Sequence, residues 1–116
     1  MASLNRNAIP IDWHQLDALC DGDEAFTLEL LNLYTADTAS QLPRLRAAIA
    51  SADASALAQI AHYLKGASAN IGATVLQSLA KQLETNGREG NLSGASSTYE
   101  RFVEQFEQLR QAVPTA

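Results

Sequence analysis

The chain reads as all-α: an antiparallel up-down four-helix bundle with an additional short N-terminal helix. Hydrophobic residues make up 47% of it but aromatics only 6%, and a core supplied mostly by Leu and Ala suits packing between helices rather than between sheets. Apolar side chains recur at three- and four-residue spacing along nearly the whole sequence. The connections between these periodic stretches are short, which forces successive helices to lie antiparallel. With 116 residues the chain is long enough for one domain and too short for two of ordinary size. Residues 1–116 are therefore expected to form a single unit, with 1–10 as an N-terminal arm and 113–116 as a C-terminal tail.

Asp12 followed by Gln15 is a capping pair, with Ile11 and Leu16 placed to clasp the first turn, so a short helix is expected over 12–20. The run Asp21, Gly22, Asp23 breaks and restarts the chain. Beyond it Phe26, Leu30, Leu33, Leu42, Leu45 and Ile49 mark one face of a long helical segment. Pro43 lacks an amide hydrogen and clashes with the preceding turn, which predicts a kink or short break just before it. Asp53 caps a third segment, whose Leu57, Ile60, Leu64 and Ile71 gather on one side, and the chain turns around Asn70 to Gly72.

A fourth helix buries Leu76, Leu79, Ala80 and Leu83, while Gln77, Lys81, Glu84 and Arg88 share a polar sector and Gly87 or Gly90 lies near its end. The stretch NLSGASS, 91–97, reads as a surface loop. Ser97 with Glu100 then forms a capping box for a last helix, in which Tyr99, Phe102, Phe106, Leu109 and Val113 repeat at helical spacing until Pro114.

A formal charge of −5 repels phosphate backbones, and no Lys/Arg cluster overrides it, so nucleic acid is not an expected partner. Cys20 is alone, so no internal disulfide forms, which fits a reduced, cytoplasmic setting. The first residues lack the apolar core of a signal peptide, and no run approaches the roughly 20 apolar residues of a membrane span, so direct membrane contact is not expected. With no long apolar stripe left uncovered, a monomer is expected.

The stretch Ala61 to Gly72 carries the chemistry. A helix through it turns His62 away from Leu57, Ile60, Leu64 and Ile71, toward water. Its neighbours at helical spacing are Ala58, Gln59, Lys65, Gly66 and Ala69, mostly small, which makes a landing surface around an imidazole. Tyr63 stands at the edge of that face, as packing or as docking surface. If the chain reverses near Ile71 and Gly72, His62 comes level with about 81–85 of the next helix. Lys81, Glu84 and, a turn further, Arg88 then become neighbours, or merely spaced surface ion pairs.

A Ser–His–Asp or Cys–His arrangement needs a nucleophile beside the base and an oxyanion hole, which one bundle face does not supply. Metal binding wants about three or four ligands, whereas His14, His62 and Cys20 come without HxxH or CxxC spacing, so no metal site is assigned. Gly66 and Gly72 fit neither a P-loop nor a dinucleotide fingerprint. What remains is the imidazole as a covalent carrier, since neutral histidine has a free ring nitrogen near pH 7. Phosphoryl transfer asks mainly for in-line positioning and neutralised oxygen charge, much of which a partner protein can supply. Lys65, one turn on, can steady phosphoryl oxygens as a point charge. A glycine inside a helix costs about 1 kcal/mol, and at Gly66 clearance for an incoming partner supplies a reason for it.

At these residues the chain resembles the histidine-containing phosphotransfer domains, whose pattern reads roughly H-x-L-K-G, a small residue pair, then glycine and alanine. His62, Leu64, Lys65, Gly66, Ser68, Gly72 and Ala73 fit in register. Leu76, Leu79, Leu83 and Glu84 continue the family's next helix, and Ile11–Asp12, Gly22–Asp23 and Phe26–Leu30 extend the likeness weakly over nearly the whole chain. The resemblance implies a phosphorelay intermediate. His62 accepts a phosphoryl group from the aspartate of one response-regulator receiver domain and passes it to another, with a hybrid sensor histidine kinase as a further possible partner. It implies a phosphocarrier without kinase activity of its own, no cofactor on this chain, and Mg2+ on the partner receiver. It makes Lys65 the electrostatic helper, Gly66 the clearance point and Arg88 a contributor to phosphate or partner contacts. Some relatives carry a neutral hydrogen-bonding side chain at the level of Glu84, where a carboxylate would repel phosphate unless Lys81 or Arg88 partners it. The alternative is a docking or scaffold bundle that binds receiver domains without being phosphorylated.

Overall fold

The computed structural model describes residues 4–115. Residues 1–3 of the expected arm and residue 116 of the expected tail lie outside the described residues. A 3-10 turn at Arg6–Ala8 precedes α1 (Trp13–Cys20), α2 (Glu24–Ala50), α3 (Ala54–Asn70), α4 (Thr74–Glu89) and α5 (Leu92–Ala112). Among the described residues there are no strands, and no helix is long and apolar enough to cross a membrane. The four long helices form the bundle, elongated to 44 × 23 × 19 Å, with α3 and α4 its most closely packed pair.

Three of the expected start signals have their physical counterpart. Asp12, Asp23 and Asp53 accept from the backbone N–H of Gln15, Phe26 and Ala56 respectively, satisfying one of the free amide donors at each helix start. At Asp12 only half of the expected box forms. The Gln15 amide reaches across to the Ala69 carbonyl at 2.5 Å, and the Asp12 N–H donates to Gly72 O at 2.8 Å. Both bonds tie the start of α1 to the α3–α4 turn. Gly72 has φ +77°, and a Cβ there would sit 2.9 Å from Asp12 O, so the turn and the clamp both require glycine. Arg6 grips Asp17 through two bonds of 2.8 Å and lies over the Trp13 ring, and Ile9 is buried, so the described part of the arm is docked onto α1.

The core is built from Leu16, Leu31, Leu45, Leu57, Leu64, Leu83, Phe102, Phe106 and Leu109. On α3, α4 and α5 it follows the expected stripes. On α2 it does not: Phe26 and Leu33 are 41% and 60% exposed, and the buried line is Thr27, Leu31, Tyr34, Thr38, Leu45 and Ala48. Threonine can occupy such a line by turning its hydroxyl onto the preceding turn, as Thr27 Oγ1 does on Asp23 O at 2.8 Å. The expectation that no apolar strip stays uncovered is corrected with it.

Pro43 makes no break, and α2 runs continuously through it. Pro43 and Ala39, whose carbonyl would have received the missing bond, are both exposed, so water can serve that carbonyl. The stretch 91–97 is likewise not a loop but the first turns of α5, started by Asn91 Oδ1 accepting from Gly94 N rather than by Ser97. Ala95 and Thr98 bury against the bundle and hold those turns.

Candidate functional site

The site sits at mid-bundle where α3 meets α4. Gly87 sets how close they come: a Cβ there would stand 2.8 Å from Ala58 N, so no other residue permits this approach without displacing backbone. One turn from that crossing along each helix are His62 and Glu84, which therefore face each other. The His62 side chain is 66% exposed, and its Nδ1 lies 2.8 Å from Glu84 Oε2.

Glu84 is where the structure departs most from the expected polar sector. Its side chain is only 6% exposed. Lys65 Nζ donates to its Oε1 at 2.7 Å, and Arg88 donates to its Oε2 at 2.7 Å. Buried charge is tolerated when paired and hydrogen-bonded, and here one carboxylate collects three donors. The Lys65 bond, followed by those of His62 and Arg88, outweighs the opposing effect of burial and holds the carboxyl down to about 2. Lys81, the other candidate partner, is exposed and lines a separate polar groove with Ser78, Gln82 and Asn86.

An ionised carboxylate only accepts, so the ring nitrogen facing it must carry the proton. His62 is thereby set in the Nδ1–H tautomer, and the lone pair of Nε2 is left on the exposed side of the ring. A shallow recess of about 410 Å³, lined by Ala58, Gln59, His62, Glu84 and Arg88, opens beside it. On the other flank, the position of a Gly66 Cβ has nothing within 4 Å.

Tyr63 is half exposed, and its hydroxyl donates to Asp37 of α2. This pins the ring at the edge of the His62 face. One turn before Asp37 stands exposed Leu33, and two turns further back exposed Phe26, so an apolar strip leads along α2 away from Tyr63. That strip was missed in the sequence because its members sit at core-like spacing. Their mismatch with the Thr27, Leu31, Tyr34 line was the available signal. Ala69 is half-buried on the His62 helix, Ser68 is fully buried, and His14 is exposed on α1, apart from the cluster. Among the described residues no group of three His, Cys, Asp or Glu could hold a metal ion.

The sequence profile of the Hpt domain matches residues 29–112. Among solved structures, histidine-containing phosphotransfer protein B from Pseudomonas aeruginosa PAO1 is similar at 33% identity, covering 88% of this chain and 89% of that one, with a TM-score of 0.82. No curated protein matches the chain.

Proposed function

The chain belongs to the Hpt domain family, whose work is histidine phosphotransfer in a phosphorelay, and from that premise we propose that His62 carries the phosphoryl group. The observation that supports this best is the division of labour on one ring. Nδ1 is committed to a buried, ionised Glu84, and Nε2 faces outward with open space at Gly66.

The step needs little from this chain. The Nε2 lone pair attacks the phosphorus of an aspartyl phosphate on a receiver domain, the P–O bond breaks, and its electron pair leaves with the carboxylate. The second receiver runs the step in reverse, its aspartate taking the phosphorus and the P–N bond electrons returning to Nε2. Lys65 and Arg88, already gathered at the ring by Glu84, are placed to turn one donor each toward phosphoryl oxygens. Lys65 and Arg88 together carry one positive charge more than Glu84 offsets, and that surplus faces the second anion once phosphate arrives.

Ala58, Gln59, Tyr63, Gly66 and Ala69 form the docking surface around the ring, and Leu33 and Phe26 extend it as an apolar strip for the receiver's own apolar surface. In this reading residues 1–116 act as one unit, a cytoplasmic monomer whose partners are response-regulator receiver domains and a hybrid sensor histidine kinase.

The test is incubation with a panel of phosphorylated receiver domains. The chain should gain an acid-labile, base-stable phosphate, and His62→Gln should fold normally yet gain none. Intact binding to receivers with no phosphate on the chain would instead make it a docking scaffold. Loss of helical circular dichroism in His62→Gln would make the residue structural.

A further inference from the structure

The side chain against His62 Nδ1 is a carboxylate, where an amide of nearly the same shape would also make a hydrogen bond. The two differ once the ring is phosphorylated. When Nε2 bonds to phosphorus, the ring gains a formal positive charge and Nδ1 still carries its proton. In water that proton is readily lost, leaving a neutral phosphoimidazole. Breaking the P–N bond from that form would expel an imidazolate, a poor leaving group. With the proton kept, the same bond releases a neutral imidazole.

We infer that Glu84 is a positioning residue that keeps the Nδ1 proton on the His62 ring while the phosphoryl group is bound, so that the chain is poised to pass the group on rather than to store it. This rests on His62 being the carrier. Glu84 Oε2 lies 2.8 Å from Nδ1 and only accepts. If Nδ1 lost its proton, two lone pairs would face each other across that distance with no hydrogen between them. A glutamine could turn its NH2 toward the bare nitrogen and serve either state.

The surrounding charges fit. On α3, Lys65 bonds Glu84; on α4, Arg88 does the same; from α2, Asp37 reaches this face but accepts from the Tyr63 hydroxyl. Lys65 and Arg88 alone would favour proton loss from the ring, and the phosphoryl oxygens offset them. The two cations also keep Glu84 ionised, holding it in its acceptor-only state through the neutral range. The whole transfer then needs no proton to enter or leave: the P–O bond breaks as P–N forms, P–N breaks as the next P–O forms, and Nδ1–H is unchanged throughout.

The test uses the chain with His14→Gln, so that His62 is the one histidine of two remaining, phosphorylated with phosphoramidate. Hydrolysis of the P–N bond is followed by phosphorus NMR from about pH 5 to about pH 10, with and without Glu84→Gln. The rate should fall on the alkaline side with a midpoint about one pH unit or more higher when Glu84 is present, a tenfold difference in the protonation equilibrium. Coincident midpoints would overturn the inference and leave the carrier assignment standing. Absence of any phosphohistidine signal would overturn the carrier assignment and the inference with it. Should the Glu84→Gln chain fail to fold, nitrogen NMR of the phosphorylated parent decides: a protonated Nδ1 at about pH 9 supports the inference, a bare one overturns it.

Discussion

Two polar contacts on α3, six residues apart, do opposite things. At Ser68 the hydroxyl meets Tyr34 OH at 2.8 Å inside the core; both groups are neutral and buried, and no nucleophilic atom faces water. Burial pushes the Tyr34 phenol up, away from ionisation. At His62 the partner is buried and charged, but the ring itself is two-thirds exposed and half of its hydrogen-bonding capacity is unspent. The first arrangement stabilises by closing on itself. The second tolerates a buried charge to leave one nitrogen accessible, which is what separates a reactive histidine from a packed one.

The largest effect that could break this contrast is at Gly66. Gly66→Gln should slow phosphoryl transfer from a receiver by at least about tenfold, because a partner held back by a side chain loses in-line geometry. Melting should stay level or rise, since glycine is a poor helix former. Unaltered transfer kinetics would remove the clearance role. At the closed contact the pattern inverts. Tyr34→Phe leaves Ser68 Oγ buried without this partner and should lower stability by about 1–3 kcal/mol in denaturant melts, with transfer rates unchanged. A transfer defect there would show that the two contacts are coupled.

Lys65→Ala sharpens the comparison on the reactive side. Transfer should slow about fivefold, the equivalent of about 1 kcal/mol in the barrier, with a smaller change in melting temperature. Equal rates in a stopped-flow or gel assay would make Lys65 a bystander. The smallest effect is in acid. Glu84 titrates at about 2 in the folded chain, below the ordinary 4.5, so its contribution to stability is complete above about pH 4.5 and disappears as pH falls toward 2. Acid melts of the parent and Glu84→Gln should therefore converge as pH drops through that window. A constant gap between them would deny the charge network its role.

Much of this was legible in the residues. His62 stood out because Leu57, Ile60, Leu64 and Ile71 fix the buried side of α3, and the reversal at Gly72 alone placed it level with 81–85 of the next helix. What stayed hidden follows from interactions that periodicity does not encode. Glu84 shares the spacing of Gln77, Lys81 and Arg88, so it read as solvated. Its burial comes from the close crossing at Gly87 and Ala58 and from cations on two helices. The α2 face was misplaced because Thr27, Thr35 and Thr38 hold core positions that an apolar count assigns to Phe26 and Leu33. Asn91 was lost among Ser and Gly, residues that signal a loop unless a cap bond and a buried Ala95 override them.

The central claim is that the outward nitrogen of one ring carries the phosphoryl group, and locating phosphorus on the chain tests it most directly. After transfer from a phosphorylated receiver, fragment masses combined with phosphorus–nitrogen couplings should place the group on Nε2 of His62. Phosphate on Nδ1, on His14 or on a carboxylate would contradict it.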